Sequence, residues 1–192
     1  MALTYSGPAK GQNSVEAQPK KQLPIDLSEL ELALDNQDPE IHYYLDLESG
    51  AIRMVTDDIL LELEDLLEDA DVDQEDSAAV LQVVRDQEDP ALLEAYQVRA
   101  AEGSRYLEIR QADRRAGYRA MENFIETLEN RALRNHLANA IRVKGAFRNF
   151  KSILSRFPRE QQQWLAFKNA HMRQGALRWL DQNGIEPLTE SE

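Results

Sequence analysis

His42-Tyr-Tyr-Leu-Asp-Leu-Glu-Ser-Gly-Ala-Ile-Arg-Met-Val55 is the stretch that decides the fold class. It places two β-prone runs, Tyr43 to Leu47 and Ala51 to Val55, around Glu48-Ser49-Gly50, and Gly50 is free to take the positive φ of a hairpin turn. Most of the surrounding chain reads as helix, so this hairpin separates an α+β protein from a helical bundle. A lone hairpin is marginal in water. Tyr106-Leu-Glu-Ile109, set off by Gly103-Ser104, is short and β-prone enough to add a third strand. The expectation is a mainly helical α+β fold, with a small three-stranded antiparallel sheet packed with about six to eight helices.

Working outward, Thr56 caps a helix in which Ile59, Leu60, Leu63, Leu66 and Leu67 form one apolar face, leaving Glu62, Glu64, Asp65, Glu68 and Asp69 largely on the others. Asp76-Ser77 and Asp89-Pro90 begin two more helices, the second by a capping Asp with Pro at the first helical position. Upstream, Asp26 or Ser28 caps a short helix that Asp38-Pro39 stops. From Ala112 the chain is helical again, with stripes Tyr118, Met121, Phe124, Ile125, Leu128 and then Leu133, Leu137, Ala140, Ile141. Gly145 interrupts this run, Pro158 restarts a helix, and Asn183-Gly184 closes it. Residues 1–23 mix Gly, Pro, Ser, Gln and Lys without apolar periodicity and read as a disordered arm. Residues 24–185 read as one domain and 186–192 as a frayed tail. Neither a fixed repeat nor a sustained heptad is present.

The 192 residues suit one domain, and 42% hydrophobic content provides a core beneath a skin that makes the chain 30% charged. Absence of cysteine excludes disulfides, thiolate metal sites and a cysteine nucleophile, and fits a cytoplasmic setting. Neither a signal-peptide core nor an eighteen-residue apolar window occurs, so no membrane association is expected. Charge is split along the chain. Asp57 to Glu94 holds fifteen acidic side chains against the single basic Arg85, whereas Arg99 to Arg178 holds seventeen Lys or Arg against seven Asp or Glu. The net −13 conceals that basic half. Such asymmetry points to a charged protein partner, to self-association as a homodimer, or to both.

Tyr44-Leu-Asp-Leu-Glu-Ser-Gly50, Met121-x-x-Phe-Ile125, Gly145-Ala-Phe-Arg-Asn-Phe-Lys151, Trp164-x-x-Phe167 and Trp179-Leu180 follow one another in an order that resembles an uncharacterised family of small bacterial proteins. The resemblance runs from about Asp26 to Ile185, and its most specific part is Gly-Ala-Phe-x-x-Phe-Lys followed by the tryptophan helix. It implies a shared α+β shape and a bacterial cytoplasmic setting, and it brings no activity, cofactor or substrate. The N-terminal arm and the acidic Asp57 to Glu94 stretch are less typical of it.

Gly145 to Lys151 joins a helix-junction glycine, two phenylalanines three apart and the cations Arg142, Lys144, Arg148 and Lys151. Interleaved rings and cations suit a single-stranded nucleic acid, whose bases stack while its phosphates meet charge. The same spacing is that of an ordinary core stripe, the preferred reading, which buries Phe147 and Phe150 and leaves only the cations outside. Arg105, Arg110, Arg114, Arg115 and Arg119 are dense enough to hold phosphates or carboxylates, but neutralising the acidic helices of the same molecule, or of a twofold mate, is the simpler role. Asp71 to Asp76 echoes a calcium loop and fails it, with Asp76 and Gln82 where Gly and Glu are required. His42, His136 and His171 lack a second ligand at metal spacing. No phosphate loop, dinucleotide fingerprint or nucleophile elbow occurs, so no catalytic, cofactor or metal residue is assigned. Trp164, Phe167 and His171 lie on a helix apolar over more than one side, which is expected to be central rather than shared with a partner. The functional expectation is a non-enzymatic adaptor with opposed faces, Arg114, Arg115, Arg142, Lys144, Arg148 and Lys151 on one and Glu62, Glu64, Asp65 and Glu68 on the other. An RNA- or single-stranded-DNA-binding protein built on the basic helices is the alternative.

Overall fold

The computed structural model describes residues 19–70, 72–73, 75–110 and 115–188. In chain order these form β1 (Lys21–Leu23), α1 (Leu27–Asp35), β2 (Ile41–Asp46), β3 (Ile52–Thr56), α2 (Asp57–Asp69), α3 (Ser77–Asp86), α4 (Pro90–Ala100), β4 (Tyr106–Glu108), α5 (Arg115–Thr127), α6 (Arg131–Ile141), α7 (Ala146–Leu154), α8 (Pro158–Gln182) and β5 (Ile185–Pro187). The fold is α+β and mainly helical.

The hairpin forms as β2 against β3, and β4 adds antiparallel to the other edge of β2 to give the order β3-β2-β4. Gly50 takes φ +77°, and a Cβ there would come within 2.8 Å of the Pro24 carbonyl oxygen, so both the turn and its packing require glycine. The sheet is covered on both sides because strand side chains alternate. Tyr44, Val55 and Tyr106 join Leu63, Leu67, Val80, Val84 and Leu92 of α2, α3 and α4. Leu45 joins Leu30 and Ala33 of α1 and Ala176 and Leu180 of α8 on the other side. The acidic helices start at side-chain caps: Thr56 Oγ1 accepts from the Ile59 N–H at 3.4 Å, Asp76 Oδ1 from Ala78 and Ala79 at 3.1 Å, and Asp89 Oδ1 from Ala91 at 2.7 Å. Asp26 rather than Ser28 caps α1, accepting from the Ser28 N–H at 2.7 Å.

A separate core lies between α5, α6, α7 and the first half of α8. Phe124, Phe150 and Trp164 meet edge to face there, with ring centroids 6.2, 5.2 and 4.8 Å apart, and Met121, Leu133, Leu137 and Leu154 surround them. The 25 residues of α8, about 37 Å at 1.5 Å per residue, run from Trp164 in this core to Ala176 and Leu180 beneath the sheet. The tryptophan helix is therefore central.

Two boundaries differ from expectation. Lys21–Leu23, inside the range read as a disordered arm, is a strand that pairs in parallel with Ile185–Pro187, which overlaps the range read as a frayed tail. Leu23 and Ile185 are buried, and Lys20 forms an ion pair with Asp181. Burial of those two apolar side chains, with ladder bonds to a segment at the far end of the chain, is what orders them. Residues 1–18 of the arm and residues 189–192 lie outside the described residues.

Candidate interaction surface at the α6–α7 corner

The corner is built by one glycine. Gly145 takes φ +84° and ends the turn Arg142-Val143-Lys144, after which α7 starts in a new direction. Asn149 Nδ2 donates to the Lys144 carbonyl at 3.3 Å and the Asn149 N–H to the Gly145 carbonyl at 3.0 Å, which holds the turn against the helix.

Phe147 and Phe150 part company here, which corrects the reading that buried both. Phe150 is 1% exposed in the aromatic core, whereas Phe147 is 48% exposed. The physical reason is Gly117: the edge of the Phe147 ring occupies the space that a side chain at 117 would fill, only 2.8 Å from where its Cβ would stand. Phe147 thus lies on the surface of α5 instead of between helices. The same contact brings the first turn of α5, with exposed Arg115, against the start of α7. Arg114 falls outside the described residues.

Arg142, Lys144, Arg148 and Lys151 are all exposed, and among the described residues none has an ion-pair partner. Beside Lys151, between α7 and the start of α8, a groove of about 300 Å³ is lined by Leu154, Ser155, Gln161, Trp164 and Leu165. Leu154 and Trp164 form its buried floor, and Leu165 is 54% exposed at its edge.

Glu62, Glu64, Asp65 and Glu68 are exposed on α2, which packs with α3 and α4. Glu64 accepts from Arg99 Nη1 at 3.4 Å, while the other three have no ion-pair partner among the described residues. Cations nearer the sheet are paired: Arg53 with Glu94 at 3.6 Å, Arg110 with Glu108 at 2.9 Å, Lys168 with Asp35 at 3.3 Å and Arg173 with Glu31 at 3.2 Å. Intramolecular neutralisation accounts for these side chains and leaves the α6–α7 corner out.

The ion pair with the most buried carboxylate among the described residues belongs to Arg105, whose partner sequence reasoning did not single out. Asp46 has no exposed surface and takes Arg105 Nε at 3.0 Å and Nη2 at 2.8 Å, together with the Glu48 N–H at 2.9 Å and the Ser49 hydroxyl at 2.8 Å. The Arg105 guanidinium holds the Asp46 carboxyl well below the usual carboxylate range, outweighing burial, which acts in the opposite direction; the Glu48 N–H and the Ser49 hydroxyl help. Asp46 in turn raises the Arg105 pKa. Arg105 Nη1 also reaches Glu48 at 3.0 Å and its guanidinium lies 5.1 Å from the centre of the Tyr106 ring. This cluster ties the hairpin turn to the loop before β4. The sequence signal was Asp46-x-x-Ser49-Gly50, an Asx-type turn.

A second cavity, of about 370 Å³, lies between β4 and the end of α8, walled by Leu107, Trp179 and the closed Glu108–Arg110 pair. No group of three or more His, Asp or Glu among the described residues could hold a metal ion, and none of the described helices is long and apolar enough to cross a membrane.

Residues 68–192 match the model of a family described as an uncharacterised protein family, UPF0158. A UPF0158 protein of Pseudomonas aeruginosa is 29% identical over 163 residues, which cover 85% of each chain. No solved structure matches.

Proposed function

We propose that this chain, which belongs to the uncharacterised UPF0158 family, is a non-enzymatic binding protein that engages an acidic partner by charge complementarity at the α6–α7 corner. One observation carries the reading: on a chain of net charge −13, Arg142, Lys144, Arg148 and Lys151 stand together without an ion-pair partner among the described residues. Exposed cations contribute little to folding, and a patch of them speeds the encounter with a negative partner. The apolar groove beside Lys151 adds the surface that fixes which partner stays. The cysteine-free sequence supports a setting of reduced thiols, the cytoplasm.

Exposed Phe147 favours a second reading, RNA or single-stranded DNA, because a ring beside Arg148 and Lys151 offers a base a stacking face next to phosphate contacts. One experiment separates the two. The intact protein and its Arg142→Glu/Lys144→Glu/Arg148→Glu/Lys151→Glu variant are immobilised and exposed to bacterial lysate with and without nuclease. A defined protein that survives nuclease and is lost with the variant supports the first reading. Loss of all partners with nuclease moves the assignment to nucleic acid, and identical capture by both forms sinks both readings.

A further inference from the structure

Leu61 on α2 is 58% exposed, an apolar side chain set among carboxylates. Asp58 lies three residues before it and Asp65 four after, so all three share one helix face, and neither aspartate has an ion-pair partner among the described residues. The α7–α8 groove is the converse: an apolar floor of Leu154 and Trp164 with Lys151 on its rim and Arg148 one turn earlier, neither cation with an ion-pair partner among the described residues. Knob and groove have matching polarity and opposite charge, and the charges of neither are paired among the described residues.

We infer that α2 of one molecule docks into the α7–α8 groove of a second copy of this chain, with Leu61 entering between Leu154, Trp164 and Leu165 while Asp58 and Asp65 meet Lys151 and Arg148. This rests on the reading of the corner as an acidic-partner site and names that partner. Because the two surfaces differ, the contact is head-to-tail, leaves one knob and one groove free on every pair, and either grows into a chain or closes into a ring. One helix face in one groove buries less than the roughly 1,200 Å² of a standard interface, so association is weak and concentration-dependent.

Sedimentation velocity of the full chain over a concentration series tests it at about 0.1 M and about 1 M salt, where the screening length falls from about 10 Å to about 3 Å. At the lower salt the wild-type sedimentation coefficient rises with concentration, and at the higher salt it stays at the monomer value. Leu61→Glu and Lys151→Glu each remain monomeric, yet an equimolar mixture forms a dimer and nothing larger, since one variant keeps the groove and the other keeps the knob. Leu165→Glu supplies a second groove variant at an exposed position, and circular dichroism checks that each variant is folded. A wild type that is monomeric throughout, single variants that assemble as the wild type does, or a mixture that stays monomeric overturns the inference. A monomeric wild type whose lysate partner still depends on the corner cations overturns this inference alone and makes the acidic helix of another protein the occupant.

Discussion

Arg105 and Arg148 are both arginines on a predominantly acidic chain, yet one closes on a carboxylate with no exposed surface and the other has no ion-pair partner among the described residues. The contrast extends to their surroundings. Beside the sheet, cations meet carboxylates from other elements and stitch α1 to α8, β3 to α4 and the hairpin turn to the loop before β4. In the α5–α7 region an aromatic core does the holding and the corner cations are left over. Charge is structural where partners converge and available for recognition where apolar packing already suffices, so the same residue type has to be judged by its neighbours.

Breaking the comparison from the apolar side gives the largest effect. Phe150→Ala removes the centre of the aromatic core and costs about 3–5 kcal/mol, whereas Phe147→Ala three residues away costs about 1 kcal/mol or less. Denaturant midpoints of the two variants measure the gap, and equal losses would mean that Phe147 is core after all. Next comes Asp46→Ala, which strips an acceptor from the Glu48 N–H, the Ser49 hydroxyl and Arg105 and costs about 1–3 kcal/mol.

Acid sharpens the same point. The Asp46 carboxyl has a lower pKa folded than unfolded, so its stabilisation is fully present above the unfolded value of about 3.9 and is lost as pH falls from there toward the folded value. Wild-type stability therefore drops more steeply below about pH 4 than that of Asp46→Asn, and parallel curves from chemical denaturation at each pH would remove Asp46 from the account. The smallest effect on folding is Arg148→Glu/Lys151→Glu, expected within about 0.5 kcal/mol of wild type while abolishing partner capture. A large loss of stability in that double variant would place those cations on the structural side of the comparison.

The hairpin, the third strand and the caps at Asp26, Thr56, Asp76 and Asp89 were legible in sequence because each rests on local chemistry: a turn glycine, β-branched and aromatic runs, or an oxygen placed before an apolar face. What escaped depends on distant residues. Nothing in Lys21-Gln-Leu23 announces a strand, since its partner begins at Ile185. Phe147 and Phe150 have the same type and lie on adjacent turns; the side chain missing at Gly117 separates them, and that position belongs to another helix. Asp46 was one carboxylate among many until its bond to Arg105 was visible. The candidate cations could be named from sequence, but their lack of internal partners could not, because pairing is decided by which helices face one another.

The two cores share α8 as an unbroken rod, with Trp164 in one and Leu180 in the other. A helix turns about 100° per residue, so its length works as a phase setting between the sheet and the aromatic core. Inserting a single residue between Lys168 and Arg173 would leave every cap and turn named above intact, yet it would put Lys168 and Arg173 out of phase with each other against Asp35 and Glu31 of α1 and rotate the aromatic core against the sheet by about 100°. Tolerance of change along this helix should therefore follow whole turns rather than residue type, with two cores kept in register by counting.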